Sequence, residues 1–270
     1  MSDKASVIDL SGNAVGEMSL PPQFSEPLRP DLIRRACHAE RSLALQPKGS
    51  FLLAGMQNSA EYYGRRRGGH RTTINTGRSR LPREKIPKGR LGRVLQVPQA
   101  VKGRRAHPPK PWKKIVEKIN HKERNAAIRS AISATKEISL VKGRGHVYEG
   151  NLPLIVDASF EEIKRVKDLK GALEKLGVEK DLERTHERRK KRSGRAGLRK
   201  GGYRVPKSIL IVVGEDKGIW KAARNLPGVD VIGVDKLSSE LLAPGGEAAR
   251  LTIWTEDALK KMEDEKLYLD

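Results

Sequence analysis

From Gly64 to Lys114 the chain carries seventeen lysines and arginines against a single acid, Glu84, with no sustained apolar period. Such a run cannot make a core. Like charges at this density repel one another, and ordering about fifty residues costs roughly 1–2 kcal/mol of backbone entropy each. Internal contacts cannot offset that, so the segment is expected to be an extended, irregular arm. A polyanion can, because every phosphate neutralised by Lys or Arg releases condensed counterions. The rest of the chain must fold around a segment that needs an outside partner, and nucleic acid is the leading one.

A second run, Arg184 to Lys207, holds eleven basic residues against Glu187. The two segments carry +16 and +10, so a 270-residue chain of net charge +22 is left with −4 elsewhere. A mildly acidic body, long enough to bury a sizeable core, thus carries two basic segments. Membrane lipid is a poorer partner. No apolar stretch reaches spanning length, and Gly and Pro break any surface helix in the basic runs. The opening MSDKASVIDLSGN lacks the apolar core of a signal peptide, so a cytoplasmic protein is expected. A lone cysteine, Cys37, excludes an intrachain disulfide and a cysteine-cluster zinc site.

The body reads as α/β. ASVIDLSGN is a short strand closed by a turn. DLIRRACHAERSLAL is a first helix with Leu32, Ala36, Ala39 and Leu43 on one face and Asp31 as N-cap. A second helix follows Asn120, with Glu123 at capping-box spacing and Ala127, Ile128, Ala131, Ile132 and Thr135 sharing a face. NLPLIVDAS is a buried strand. A helix capped by Ser159 and Glu162 carries the stripe Ile163, Val166, Leu169, Leu173 and Leu176 and closes at Gly177. Ile209 to Val213, Val229 to Val234 and Leu251 to Trp254 alternate with helical patterns, which implies a parallel sheet flanked by helices, a Rossmann-like sandwich.

Such a body invites a search for catalysis, and little supports it. ILIVVGEDKG offers Gly214 and Gly218 but no G-x-G-x-x-G, and it puts Glu215 and Asp216 where a pyrophosphate would sit. Those acids read as helix caps. The paired glycines of APGGEAARLTIW precede a strand, so they read as a turn. Cys37 and His38 are neighbours on a helix and point about 100° apart, so Cys37 reads as a small buried side chain. No His pair has metal-ligand spacing. Neither a catalytic residue, a metal site nor a cofactor is expected.

The basic segments carry the positive signal. Gly and Pro keep the first one slim, and Arg binds phosphate through a planar fork that also stacks on bases. His70, His107, Tyr62, Tyr63 and Trp112 offer stacking surfaces. The expected RNA-binding residues of the first segment are Arg65, Arg66, Arg67, His70, Arg71, Arg78, Arg80, Arg83, Lys88, Arg90, Arg93, Lys102, Arg104, Arg105, His107 and Lys110. In the second they are Arg188, Arg189, Lys190, Lys191, Arg192, Arg195, Arg199, Lys200 and Arg204. An alternative is an RNA-modifying enzyme with an α/β catalytic body and a basic RNA-clamping arm.

VPQAVKGRRAHPPKP, from Val97 to Pro111, LAPGGEAARLTIWTEDALKKM, from Leu242 to Met262, and KGIWKAARNLPGV, from Lys217 to Val229, occur in one order along the chain. Together they resemble the universal large-subunit ribosomal protein L-four family in its archaeal and eukaryotic form. AEYYGRRRGG resembles that family's Ala-Glu-Ser-aromatic-Gly motif, with Tyr62 in place of the Ser. The absence of a long basic tail after EDALKKMEDEKLYLD points to the archaeal branch. The resemblance implies a structural constituent of the large ribosomal subunit with no enzymatic activity or cofactor. Residues 1–46 and 111–270 would form the globular domain. Residues 47–110 would form a loop penetrating ribosomal RNA, and 184–207 a second RNA-binding segment. The loop would line the constriction of the peptide exit tunnel beside ribosomal protein L-twenty-two and meet the nascent polypeptide. Its tip would lie between Gly77 and Arg93, presenting Arg78, Arg80, Arg83, Lys85, Lys88 and Arg90.

Overall fold

A computed structural model describes residues 4–64, 72–198 and 200–269. In chain order the elements begin with β1 (Lys4–Ile8), β2 (Ala14–Ser19) and α1 (Pro30–Leu43), followed by β3 (Arg83–Lys85) and β4 (Leu91–Val94). Next come α2 (His121–Ala134), α3 (Ile138–Gly143), β5 (Leu154–Val156), α4 (Val166–Lys175), α5 (Glu179–Glu187), β6 (Lys190–Lys191) and β7 (Tyr203–Arg204). The chain closes with β8 (Leu210–Val213), α6 (Ile219–Ala223), β9 (Asp230–Gly233), α7 (Ser239–Leu242), β10 (Thr252–Thr255) and α8 (Glu256–Asp264). The contacts divide into two compact units, Met1–Ala44 with Val116–Asp270, and Leu45–Ile115.

The larger unit is built on a six-stranded sheet in the order β2-β1-β5-β10-β8-β9. All neighbours pair in parallel except the edge hairpin β1/β2. β5 and β8 are short runs of consecutive apolar residues, and every residue of β10 is buried as well, because both faces are covered. Alternation sends Leu154, Val156, Ile209, Ile211, Val213 and Ile253 to one face, where they meet Leu169 and Leu173 of α4 and Ile219 and Ala222 of α6. The other parity sends Ile155, Leu210, Val212 and Trp254 to the opposite face, against Ile33 of α1, Ile128 and Ile132 of α2, and Leu259 and Met262 of α8. The Trp254 ring meets Phe24 edge-on, with centroids 5.2 Å apart.

The helix termini differ from the sequence expectations. Pro30 opens α1, which moves Asp31 into the first turn, where its charge complements the helix dipole instead of capping it. The buried stripe of α1 is Ile33, Ala36, Cys37, Ala39 and Ser42, and Leu43 is 68% exposed. Asn120 occupies the N-cap of α2 without a side-chain cap bond, and Glu123 pairs with Arg35 across to α1 at 3.2 Å. Ser159 and Glu162 lie in a 3-10 turn, Ala158–Glu162, capped by Asp157, and α4 begins only after Arg165. Gly177 ends α4 at φ +73°, as a C-terminal glycine should. Gly245 and Gly246, both near φ +88°, form the turn after α7.

Trp254→Ala is expected to lower unfolding free energy by about 3–5 kcal/mol, because it empties a site covered on every side. Leu43→Ala should change it by less than about 0.5 kcal/mol. Urea titrations of both variants check this, and a large effect at Leu43 would show that α1 packs differently.

Candidate nucleic-acid interface

Within the Leu45–Ile115 unit, order comes from turns and polar contacts more than from apolar burial. β3 and β4 form an antiparallel hairpin, with Lys88 at φ +60° and Gly89 at φ +71° at its turn. Successive left-handed residues give the backbone twist that a tight hairpin needs. Glu61 pairs with Arg83 through reciprocal backbone bonds of 3.1 and 3.0 Å. The Gln96 amide donates to Asn58 Oδ1 and to the Ala60 carbonyl. Tyr63, Thr73 and Leu95 are buried, and the Thr73 hydroxyl donates to the Tyr63 carbonyl. Gly55, at φ +78°, lies so close to Gly103 that a Cβ there would sit 2.5 Å from the Gly103 oxygen. The unit is therefore not wholly irregular, and Tyr63 is packed inside it instead of offering a stacking face.

The expected RNA-binding side chains of this unit are mostly exposed. Arg78, Arg80, Lys88, Arg90, Lys102, Arg104, Arg105 and Lys110 reach solvent and make no ion pair among the described residues. His107 is exposed as well. Three cations are engaged internally. Lys85 pairs with Glu61 at 2.9 Å, Arg93 with Glu84 at 3.6 Å, and Arg83 donates to Ser79 and to the Gly92 carbonyl. Tyr62 and Trp112 are exposed, with Lys110 Nζ 5.8 Å from the Trp112 ring centre. Arg65, Arg66, Arg67, His70 and Arg71 lie outside the described residues.

The second segment is more ordered than its composition suggests. Its start belongs to α5, and β6 pairs with β7 as a small antiparallel hairpin. Arg188, Lys190, Lys191, Arg192, Arg195 and Arg204 are exposed and unpaired among the described residues, and the Arg189 guanidinium lies 4.2 Å over the exposed Tyr203 ring. Arg199 falls outside the described residues, as does the side chain of Lys200. Leu198 is 90% exposed between the two strands.

The feet of this hairpin are held by a buried polar cluster. Asp181 is fully buried and receives Arg184 Nε at 2.9 Å, Ser208 Oγ at 2.6 Å and the Val147 amide at 3.1 Å, with His146 Nδ1 3.1 Å away. Arg184 also donates to the Lys207 carbonyl at 2.9 Å, which ties the segment's two ends together. Arg184, the first residue of the basic run, is thus a structural anchor. Burial alone would raise the Asp181 pKa, but the bonds from His146, Arg184 and Ser208 hold it well below the usual carboxylate range. Burial lowers the His146 pKa against the pull of Asp181, which favours a neutral imidazole.

The family model described as "Ribosomal protein L4/L1 family" matches residues 18–265. The chain belongs to this family. Among its relatives is the large ribosomal subunit protein uL4 of Methanocaldococcus jannaschii, 49% identical over 262 residues, which span 97% of this chain and 98% of the relative. The uL4 proteins of Methanothrix thermoacetophila and Archaeoglobus fulgidus are both 47% identical, covering 96% and 95% of this chain and 98% and 97% of their own lengths. All three sources are archaeal.

Membership of the L4/L1 family makes this a structural ribosomal protein and not an enzyme. The carboxyl edge of the sheet, where parallel α/β enzymes bind ligands, holds a cavity of about 310 Å³ lined by Glu161, Glu215, Lys217, Asp257 and Lys260. Glu161 Oε1 is spent on the Gly214 amide and the Thr255 hydroxyl, and Lys217 pairs with Asp257. The N-cap of α6 is Gly218 instead of either expected acid, and Asp216 accepts from the Gly218 and Trp220 amides from two positions before it. Cys37 is buried, its thiol donates to the Ala243 carbonyl at 3.3 Å, and burial pushes its pKa up to about 12. No helix among the described residues is long and apolar enough to cross a membrane. The Asp181 cluster escaped sequence reading because His146 and Ser208 lie 35 and 27 positions from Asp181, on opposite sides of it in the chain, with no shared motif.

Asp181→Asn is expected to cost about 3–5 kcal/mol, since it leaves Arg184 buried against a neutral partner. The pH dependence has a definite sign. Both Asp181 and His146 titrate lower in the fold than in the unfolded chain, so the unfolded state takes up more protons on acidification. The cluster's contribution is complete above the ordinary imidazole value of 6.5 and is lost as pH falls through that value and then below 3.8. Urea midpoints measured across pH should fall in this order, and His146→Asn should remove the upper step.

Proposed function

We propose that this chain binds large-subunit ribosomal RNA through residues 47–110 and 184–207, with 1–46 and 111–270 as its globular support. The first segment would line the constriction of the peptide exit tunnel. The observation that carries the RNA reading is the set of exposed, unpaired cations on the Leu45–Ile115 unit: Arg78, Arg80, Lys88, Arg90, Lys102, Arg104, Arg105 and Lys110. Cations left without internal partners keep their full charge for phosphate, and each contact made with RNA releases counterions. The arrangement Arg189 over Tyr203 supports the same reading for the second segment, because a guanidinium stacked on an aromatic ring extends a flat surface for a base.

The tunnel role rests on the hairpin between β3 and β4. Its turn displays Lys88 and Arg90, while Arg78 and Arg80 lie just before it in the chain. These four, with Arg83 and Lys85 at its base, are the proposed tip. The relatives' name, large ribosomal subunit protein, fits a partner set of ribosomal RNA, the L-twenty-two protein and the nascent polypeptide.

Binding of large-subunit ribosomal RNA by the full chain should weaken steeply with salt. Replacing Arg104 and Arg105 by Ala should flatten the log K against log salt slope by about one unit each. An unchanged slope would remove these residues from the interface. A photo-cross-linker placed at Lys88 should capture a stalled nascent chain, and capture of RNA alone would move the tunnel tip elsewhere.

A further inference from the structure

A groove of about 500 Å³ runs between α4 and α5 and is floored by Leu182, Leu226 and Pro227. Its walls are Glu174 of α4 and Glu179, Glu183 and Glu187 of α5, with Lys170 and His186 also facing it. All four glutamates are exposed, and none forms an ion pair among the described residues. Four glutamates against the one lysine, Lys170, make this groove acidic on a chain of net charge +22.

Folding of the chain accounts for Glu179, which lies in the first turn of α5 where the helix dipole favours an acid, but not for the other two glutamates of this helix. Glu179, Glu183 and Glu187 recur every fourth residue, so they stand above one another on one helix face, where like charges destabilise a helix. Glu187 also closes this nine-residue helix, where the backbone dipole disfavours negative charge. The arrangement is costly in the isolated chain and becomes favourable once cations sit between the acids. RNA is the wrong occupant, because its phosphates would face four carboxylates.

We infer that this groove docks a lysine- or arginine-rich segment of another protein, with an aliphatic side chain of that segment seated on Leu182 and Leu226. Cationic stems would cover the apolar floor while their charged ends meet the glutamates. The inference rests on the ribosomal reading, since the partner has to be a neighbour in the assembled subunit. It gives the chain two faces of opposite preference: basic segments for RNA, and an acidic groove for a basic protein.

The test uses intact large subunits that contain the full chain, treated with a carbodiimide that joins carboxylates directly to amines, and read by peptide mass spectrometry. The expected result is a cross-link from Glu179, Glu183 or Glu187 to a lysine of a different ribosomal protein. The same glutamates should also be protected from coupling to glycine ethyl ester relative to the free chain. Glutamates that stay as reactive in the subunit as in the free chain would overturn the inference, as would cross-links confined to this chain's own lysines, or protection by RNA alone. A chain absent from the subunit would overturn the ribosomal reading and this inference together. A variant with Glu179→Lys and Glu183→Lys changes only exposed positions, so it should still unfold in one cooperative transition. It should enter the subunit yet lose the cross-linked partner, and an unchanged partner would be equally decisive against docking.

Discussion

The side chain that the larger unit depends on most is Arg250, whose guanidinium has no exposure to solvent. A buried cation is tolerable only if its donors are all used. Here Nε donates to the Ser208 carbonyl at 2.6 Å, Nη1 to Leu241, and Nη2 reaches Ile209, Gly228 and Asp230, the last at 2.7 Å. One residue thereby fixes the start of β8, the entry to β9 and the end of α7. Ser208 continues the chain of contacts to Asp181, and Lys207 pairs with Asp230 at 2.7 Å. The amino edge of the parallel sheet is thus a closed polar lattice, and the basic hairpin β6/β7 has both feet in it. Its charge is displayed from ends tied into that lattice by Arg184 and Lys207.

This reverses the usual use of a parallel sheet. Ligand chemistry in such folds is placed at the carboxyl edge, where strands feed helices that diverge to opposite faces. In this chain β5 and β8 feed helices on one face while β10 feeds α8 on the other, so the geometry for a crevice exists. There Glu161 Oε1 is held by the Gly214 amide and the Thr255 hydroxyl, and Lys217 pairs with Asp257. What distinguishes the protein is therefore carried on segments outside the sheet's ligand edge.

Much of the body could be read from the sequence because its signals are local and repeated. LIVV and LIV are continuous apolar runs with no alternative to a doubly covered strand, and the spacing of Leu169, Leu173 and Leu176 determines the inner face of α4. Capping was less legible, because it turns on one side chain's conformation. Asn120 and Ser159 both had the right spacing, yet Glu123 found Arg35 and Ser159 found Asp157. Leu43 failed for a similar reason: helical phase predicts a face only while the helix continues, and α1 ends there. In the basic segments, charge hid structure. The hairpins β3/β4 and β6/β7 depend on turn backbone such as Lys88–Gly89 and on pairings such as Glu61 with Arg83, which no apolar period announces. Of the expected contact residues, the sequence could give the charge but not which cations were already engaged, as Arg83, Lys85 and Arg93 are.

Net charge is a weak descriptor for such a chain, because +22 is a difference between regions that act separately. A polyanion and a basic peptide make opposite demands on a surface, and one patch of mixed sign would serve neither well. Segregation satisfies both. Cations placed on segments with few internal acids keep their charge unspent, while the glutamates gathered on α5 stand on a helix whose two cations are engaged elsewhere, Arg184 with Asp181 and Lys180 with Glu149. The same buried contact that anchors the hairpin also engages one of the two cations that α5 could offer its glutamates. Anchoring the basic segment and leaving the α5 glutamates without an Arg184 partner both draw on the Asp181–Arg184 ion pair.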